Sequence, residues 1–203
     1  MKENTVITIG RQYGSAGREL SVALAKRLNV HLYDRQIIHL AASKLGIEDM
    51  DFAKMKRLEE TIPPMSLKFM PFFVFGVNTA EPLNNKMYEA ESKVIKHIAQ
   101  DGSCVILGRC ADQVLKGQNN VYSFFICADK EYREKRGKSV YEGKSLYELI
   151  EEDGKRGQYY EYYTGKKWGD PANYDVTINM SEISIDLAVE AIINYIELRQ
   201  KNE

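Results

Sequence analysis

The amino-acid sequence predicts an α/β protein built on a parallel sheet with helices on both faces. Short, β-branched apolar runs alternate with longer segments whose apolar residues recur at helical spacing. A chain that alternates strand and helix in this way forms a parallel sheet covered by helices. The 203 residues are 44% hydrophobic and 28% charged, which is enough apolar material for the core of one domain.

Each predicted element follows from a local pattern. The run TVITI at 5–9 ends at Gly10 and is typical of a strand buried on both faces. Leucines and alanines at helical spacing then predict a helix over 17–28. The further predicted strands are 30–34, 103–108, 121–129 and 174–180, and the further predicted helices are 37–45, 47–60, 85–100, 144–163 and a terminal helix from 185.

The segment 62–82 breaks this pattern. It contains four of the five prolines and an apolar cluster at 69–75. Lys68 and Pro71 interrupt its apolar runs, which fall short of the roughly 20 residues that span a bilayer. We therefore expect a mobile cover or a contact between subunits of a homo-oligomer, with plain core packing as the alternative, and no membrane partner.

Charge and cysteine content exclude several classes of function. A formal net charge of −1 argues against binding to nucleic-acid polymers. Cys104, Cys110 and Cys127 lack CxxC spacing, so neither a structural zinc site nor a disulfide framework is expected. The chain opens without a charged-then-apolar leader, so we expect a soluble, cytoplasmic protein.

Glycine and polar residues follow the predicted strands. In parallel sheets, ligands bind beyond the carboxyl ends of the strands. Those ends carry the segments 10–18, 33–35, 108–112, 128–130 and 179–181. The sequence therefore predicts a ligand site along this edge.

The segment after the first strand, IGRQYGSAGREL, has the glycine content of a phosphate-binding loop. In such loops backbone N–H groups wrap the phosphates, a lysine bridges them, and a hydroxyl binds magnesium. Here glycine stands where lysine is expected, and Arg18 follows one residue later. A guanidinium group can also bridge phosphate oxygens. A glycine-rich strand-to-helix turn without a ligand remains the alternative.

Three stretches together give a more specific indication. ITIGRQYGSAGREL at 7–20, SCVILGRCAD at 103–112 and YYEYYTGKKWGDPANYDVTINMS at 159–181 resemble the cytidylate kinase-like family, a branch of the P-loop nucleoside-monophosphate kinases. The resemblance runs from about residue 5 to 193 and is weakest across 49–84. Ala16 replaces a glycine of the family motif, whereas glycine followed by Arg18 is similar to the family's own loop.

The resemblance implies a fold and an activity. The fold is a three-layer P-loop kinase domain over 1–203, with a five-stranded parallel sheet, an acceptor-binding region at about 35–84 and a lid at about 133–170. The activity is transfer of the ATP γ-phosphate, with Mg²⁺, to CMP or dCMP. Arginine is missing near His39 and Leu40, where better-known cytidylate kinases have one. A kinase of another small metabolite and a nucleotide-binding regulatory protein without turnover therefore remain as alternatives.

The resemblance also implies roles for individual residues. The predicted ATP-binding residues are Arg11, Gly14, Ser15, Ala16, Gly17, Arg18 and Glu19. The predicted acceptor-binding residues are Asp34, Arg35, Arg109 and Asp112. The predicted catalytic cations are Arg18, Arg109, Arg133, Arg136 and Arg156, and the predicted lid residues are Lys155, Arg156, Lys166 and Lys167. No direct protein cluster for a metal is expected; Mg²⁺ would arrive with ATP, with Ser15 as a candidate hydroxyl ligand.

Each assignment has a structural alternative. Arg18 would otherwise be a solvated arginine of the first helical turn, and Arg109 would form a salt bridge to Asp112 or another acid. Asp34 would otherwise cap a helix that begins at Arg35. The lid cations taken singly would lie on a solvated helix face. The tyrosines at 159, 160, 162 and 163 are expected to pack in the core or an interface rather than to stack on a base.

Overall fold

The computed structural model describes residues 1–34 and 85–202. The predicted helices at 37–45 and 47–60, Arg35, the acceptor region 35–84 and the segment 62–82 lie outside these residues. The strands are β1 (Val6–Arg11), β2 (His31–Tyr33), β3 (Cys104–Leu107), β4 (Val121–Cys127) and β5 (Val176–Asn179). The α-helices are α1 (Gly17–Leu28), α2 (Asn85–Asp101), α3 (Ala111–Val114), α4 (Lys130–Val140), α5 (Leu146–Thr164) and α6 (Ile185–Lys201).

The five strands form one parallel sheet in the order β2-β3-β1-β4-β5. The central strand β1 pairs with β3 from Val6 opposite Cys104 and with β4 from Val6 opposite Val121. All four pairings are parallel, so the carboxyl ends of the strands meet along one edge. The predicted fold class, with its five-stranded parallel sheet, is confirmed.

Helices cover both faces of the sheet because the strands are apolar on both faces. One core cluster joins Val6, Cys104 and Ile106 of the sheet to Val94, Ile95 and Ile98 of α2, to Ala111 of α3 and to Leu115, which follows α3. The other joins the opposite face of the sheet to α1 and α6 through Leu20, Leu24, Ala188, Ile192 and Ile196. None of the helices in the described ranges is long and apolar enough to cross a membrane.

The helix predicted at 144–163 begins and ends as local chemistry requires. Ser145 caps α5, since its side chain accepts the N–H of Glu148 while the Glu148 side chain accepts the N–H of Ser145. The hydrogen bonds from Ser145 lower the pKa of Glu148. Gly165, with φ of 66°, ends the helix in a left-handed conformation that glycine adopts readily. The pattern therefore located this helix to within two residues.

Gly137 lets the end of α4 lie directly against the chain that leads into α5. A Cβ atom at this position would collide with the carbonyl oxygen of Lys144 and lie 3.2 Å from Cδ1 of Leu149. We expect Gly137→Ala to lower the free energy of unfolding by about 1–3 kcal/mol because the helix pair must move apart.

Gly154→Ala on α5 is the matched control. Nothing lies within 4 Å of its Cβ position, so alanine should raise stability by about 0.5–1 kcal/mol through its higher helix propensity. Urea denaturation of both variants measures the difference. Equal effects of the two substitutions would contradict close packing at Gly137.

Candidate active site

The loop between β1 and α1 folds as a tight turn that ends at a helix N-terminus. Gly14 and Ala16 both have positive φ, 82° and 63°, and α1 begins at Gly17. The Ser15 hydroxyl donates to the Gln12 carbonyl at 2.9 Å and accepts the Gly17 N–H at 3.3 Å. Ser15 therefore holds the turn together. The first-turn N–H groups of α1 have no partner within the helix and, with the positive end of its dipole, favour an anion.

Tyr13 of this loop is held at both backbone polar groups by the segment predicted as a lid. Its N–H donates to Oδ1 of Asp153 on α5 at 2.7 Å. Its carbonyl accepts Nε of Arg133 on α4 at 2.8 Å. Arg133 and Asp153 are themselves joined at 2.5 Å, and both are more than 90% buried. This set of contacts, which we name the Tyr13 clamp, fixes the loop to α4 and α5.

Two further arginines of the predicted lid also bind the loop segment. Arg136 pairs with the carboxylate of Glu19 in the first turn of α1. Arg156 donates to the Arg11 carbonyl at 3.1 Å, and its guanidinium carbon lies 4.8 Å from the centre of the Tyr13 ring. The structure thus brings both arginines to the predicted phosphate loop. In this conformation they position the loop rather than extend from a solvated helix face.

Arg109 lies in the turn after β3 and is paired with a buried acid of α2. Its guanidinium contacts the carboxylate of Glu91 on α2, and the two side chains are 7% and 2% exposed. The Tyr159 hydroxyl donates to Oε2 of the same carboxylate at 3.1 Å, and its ring lies 5.0 Å from the Arg109 guanidinium carbon. The salt bridge expected as one alternative for Arg109 therefore forms, with Glu91 as the acid.

Asp112 and Asp34 follow neighbouring strands of the sheet, β3 and β2. Asp112 accepts the Tyr160 hydroxyl at 2.7 Å and the Gln113 side-chain amide at 2.9 Å. Arg18 reaches from α1 to Asp34, which follows β2, at 3.5 Å. The predicted acceptor-side acids are therefore both at the carboxyl edge of the sheet, each with a polar partner from another element.

The described contacts of Lys155 and Lys166 are with residues outside the loop between β1 and α1. Lys155 pairs with Glu152 at 2.9 Å on its own helix. The neighbouring Lys116 lowers the pKa of Lys166 through a hydrogen bond and charge repulsion. Trp168 of the TGKKWGD segment packs edge-on against Phe125 of β4, with ring centres 5.3 Å apart. Roles for Lys155, Lys166 and Lys167 at phosphate stay predictions.

The family follows from the sequence match along this site. Residues 6–182, which carry the loop, Arg109, the Tyr13 clamp and Trp168, match the cytidylate kinase-like family. The chain belongs to the cytidylate kinase-like family. No curated protein sequence matches the chain significantly.

Solved structures place this family member among P-loop kinases in fold. A crystal structure of an uncharacterized protein from Eubacterium ventriosum is similar at a TM-score of 0.71 and 25% identity, covering 95% of this chain and 98% of that one. A gluconokinase from Sinorhizobium meliloti gives a TM-score of 0.55 at 10% identity, with coverage of 98% and 95%. A shikimate kinase from Bacteroides thetaiotaomicron gives 0.54 at 13% identity, with coverage of 97% and 99%. The two kinases share the fold with this chain.

Sequence reasoning missed several residues that build the site. Glu91, Asp153 and Tyr13 were not singled out, although each binds a predicted arginine or the loop. Tyr159 and Tyr160 were expected only to pack, yet their hydroxyl groups bind Glu91 and Asp112. An acid within an apolar helical stripe was the available signal for Glu91, because a buried carboxylate requires a partner.

The donor groups around the loop fit the phosphates of ATP. The loop amides and nearby guanidinium groups suit a polyphosphate. Residues 1–34 and 85–202 contain no group of three or more His, Cys, Asp or Glu side chains that could hold a metal. The Ser15 hydroxyl already has two partners within the loop. Binding of Mg²⁺ through the phosphate oxygens of ATP and water stays a prediction.

The charge on Asp112 is expected to lower stability at neutral pH. Burial raises the pKa of Asp112 above its unfolded value of about 3.9. At pH values between the pKa of Asp112 in the unfolded chain and its pKa in the folded chain, the folded chain binds more protons than the unfolded chain. The free energy of unfolding therefore falls as the pH rises through that range. Asp112→Asn should remove this fall while its side-chain oxygen still accepts from Tyr160. Urea denaturation at a series of pH values above 4 measures it, and parallel curves for both proteins would refute it.

Proposed function

We propose that the protein is an ATP-dependent phosphotransferase that acts on a small acceptor, with CMP or dCMP as the acceptor that its family suggests. The observation that carries the proposal is the loop at the carboxyl end of the central strand, where a helix N-terminus and several arginines converge. Phosphoryl transfer requires positioning and positive charge more than covalent chemistry from the protein. The arginines supply the positioning of the loop, and the N-terminus of α1 supplies positive charge.

In the proposed reaction an acceptor oxygen attacks the γ-phosphorus of ATP, and the bond from that phosphorus to the β-bridging oxygen breaks. The products are the phosphorylated acceptor and ADP. The first-turn amides of α1 bind the donor phosphates, and Arg133 and Asp153 keep the loop in shape through Tyr13. Asp112 and Asp34, at the ends of β3 and β2, orient the acceptor. Mg²⁺ bound to ATP supplies further positive charge on the phosphate oxygens.

A second candidate is a kinase of a different small metabolite. The pairing of Arg109 with Glu91 favours it, because a guanidinium already bound to a buried carboxylate attracts an acceptor phosphate less strongly. The two candidates share the donor site and differ only in the acceptor.

A turnover assay tests the proposal. Purified protein is incubated with Mg-ATP and, separately, with nucleoside monophosphates, sugars and hydroxy acids, and ADP release is measured. Release with CMP or dCMP is the expected result, whereas release with another acceptor supports the second candidate. Binding of ATP without turnover on any acceptor would instead indicate a nucleotide-binding regulatory protein. Absence of ATP binding would reject all of these.

A further inference from the structure

The side chain of Arg11 occupies the space in front of the position where phosphate loops have lysine. That position is Gly17. A Cβ atom at Gly17 would lie 2.6 Å from Cβ and 3.0 Å from Cγ of Arg11, closer than unstrained packing allows. Any side chain at position 17, lysine included, is therefore incompatible with Arg11 as it stands. With Arg11 in this position, glycine is the residue that fits at position 17, where phosphate loops have lysine.

The far end of the same side chain lies against a second glycine. Gly108 is the residue after β3. A Cβ atom at Gly108 would collide with Nη1 of the Arg11 guanidinium. Gly108 has a φ of 80°, so a side chain there would be strained as well as obstructed. Arg11 thus runs from the start of α1 to the end of β3, with a glycine at each end of its path.

This path crosses the point in the sheet where ligands bind in related architectures. In the strand order β2-β3-β1-β4-β5, the connection after β1 leads to β2 on one side of the sheet. The connection after β3 leads to β4, on the other side of β1. Such a reversal opens a crevice between the carboxyl ends of the two strands. The guanidinium of Arg11 lies at that crevice, against Gly108 at the end of β3.

The backbone of Arg11 is held in place, whereas the side chain of Arg18 pairs with Asp34. The Arg11 carbonyl accepts from Arg156 at 3.1 Å. Arg18, the substitute cation that the sequence predicted first, reaches instead to Asp34 on the β2 side at 3.5 Å. Of the two, Arg11 is the arginine whose side chain passes in front of the lysine position.

We propose that Arg11 replaces the phosphate-loop lysine, bridging the ATP phosphates from the end of β1, and that Gly17 and Gly108 are glycines because they make room for it. A guanidinium group can form two parallel hydrogen bonds to phosphate oxygens, which suits this role. The inference rests on the proposed function, since it assumes that the loop binds ATP.

The first test measures Mg-ATP affinity by calorimetry for the native chain and single variants. Arg11→Ala should weaken binding at least tenfold, the loss expected for one charged phosphate contact. Arg11→Lys should recover part of that loss, because the charge returns without the bidentate geometry. Arg27→Ala is the matched control, since Arg27 is an exposed arginine at the other end of α1, and its affinity should stay within twofold of native.

The second test moves the cation back to the lysine position. Gly17→Lys alone should weaken ATP binding at least tenfold, because the new side chain collides with Arg11. The double variant Arg11→Gly with Gly17→Lys removes the collision and should bind ATP at least tenfold more tightly than Gly17→Lys alone. Such strong non-additivity is expected only when two side chains share one space. Thermal melts of each variant separate loss of folding from loss of affinity.

The outcomes separate this inference from the proposed function. If the native chain binds Mg-ATP and Arg11→Ala binds it within twofold as tightly, the inference is wrong and the proposed function stands. If folded Arg11→Ala loses affinity while Arg27→Ala does not, the inference is supported. If the native chain does not bind Mg-ATP, both are overturned.

Discussion

Replacing Glu91 with alanine is expected to lower the free energy of unfolding by about 3–5 kcal/mol. Glu91 and Arg109 form an ion pair whose side chains are 2% and 7% exposed. Removing one member of such a pair leaves the other charge buried without its counter-charge. The Tyr159 hydroxyl would also lose the carboxylate that accepts it. The Glu91–Arg109 pair is therefore a structural requirement of the site.

Backbone strain at the turn after β3 extends the expected effect to acceptor binding. Arg109 and Cys110 both have positive φ, 57° and 55°, a conformation that costs non-glycine residues on the order of 1 kcal/mol or more each. The Glu91 contact helps to hold the first of them in place after β3. Losing the contact should let this turn relax, and acceptor binding at the neighbouring Asp112 should weaken with it.

Urea denaturation and acceptor titrations of Glu91→Ala measure both effects. Glu89→Ala, an exposed acid on the same helix, is the matched control and should change stability by less than about 0.5 kcal/mol. Leucine at position 91 combined with methionine at 109 should be more stable than Glu91→Ala, because it removes both charges. A Glu91→Ala protein as stable as the native chain would contradict the ion-pair argument.

Replacing Asp153 with asparagine is expected to affect both stability and ATP binding. Asp153 accepts the Tyr13 N–H at 2.7 Å and pairs with the buried Arg133 at 2.5 Å. Asparagine preserves the shape and removes the charge that compensates Arg133. We expect stability to fall by about 3 kcal/mol. Because Tyr13 belongs to the phosphate loop, ATP affinity should fall at least tenfold, or about 1.4 kcal/mol.

A double-mutant cycle tests whether this effect runs through the clamp. Arg133→Gln combined with Asp153→Asn should cost at least about 1 kcal/mol less than the sum of the single substitutions, because neither charge is then left alone. Glu151→Gln, an exposed acid on the same helix, is the control and should leave stability and ATP affinity nearly unchanged. Additive single effects would show that the two side chains act independently.

The positions of strands and helices were predictable because their signals are local. Helix α1 was predicted at 17–28, where the structure has it, since apolar spacing and flanking glycines specify a helix without reference to distant residues. Strand β1 differs: the run predicted at 5–9 extends to Arg11, because pairing with β4 continues through Gly10 and Arg11 opposite Phe125 and Ile126. Pairing with the neighbouring strand β4 therefore sets the carboxyl end of β1.

The partners of the charged residues were less predictable. For Arg109 the sequence predicted contact with an acceptor phosphate, with a salt bridge to Asp112 or another acid as the alternative. Its observed partner Glu91 is 18 residues away, on helix α2. Tyr13 and Asp153 are 140 residues apart, and Arg136 and Glu19 are 117 apart. Sequence alone gave the residue types that could bind phosphate, and their roles in catalysis stay predictions.

By itself, the sequence determined the α/β class, the edge of the sheet where the candidate site residues lie, and the family, since strand runs, helical spacing and ordered motifs are all encoded over short distances. The tertiary structure decided which arginine meets which acid, and it showed that Arg11 fills the space left by two glycines. Those contacts depend on which strands are neighbours in the sheet and on how closely their residues approach. Both depend on residues far apart in the chain, so local sequence patterns do not predict them.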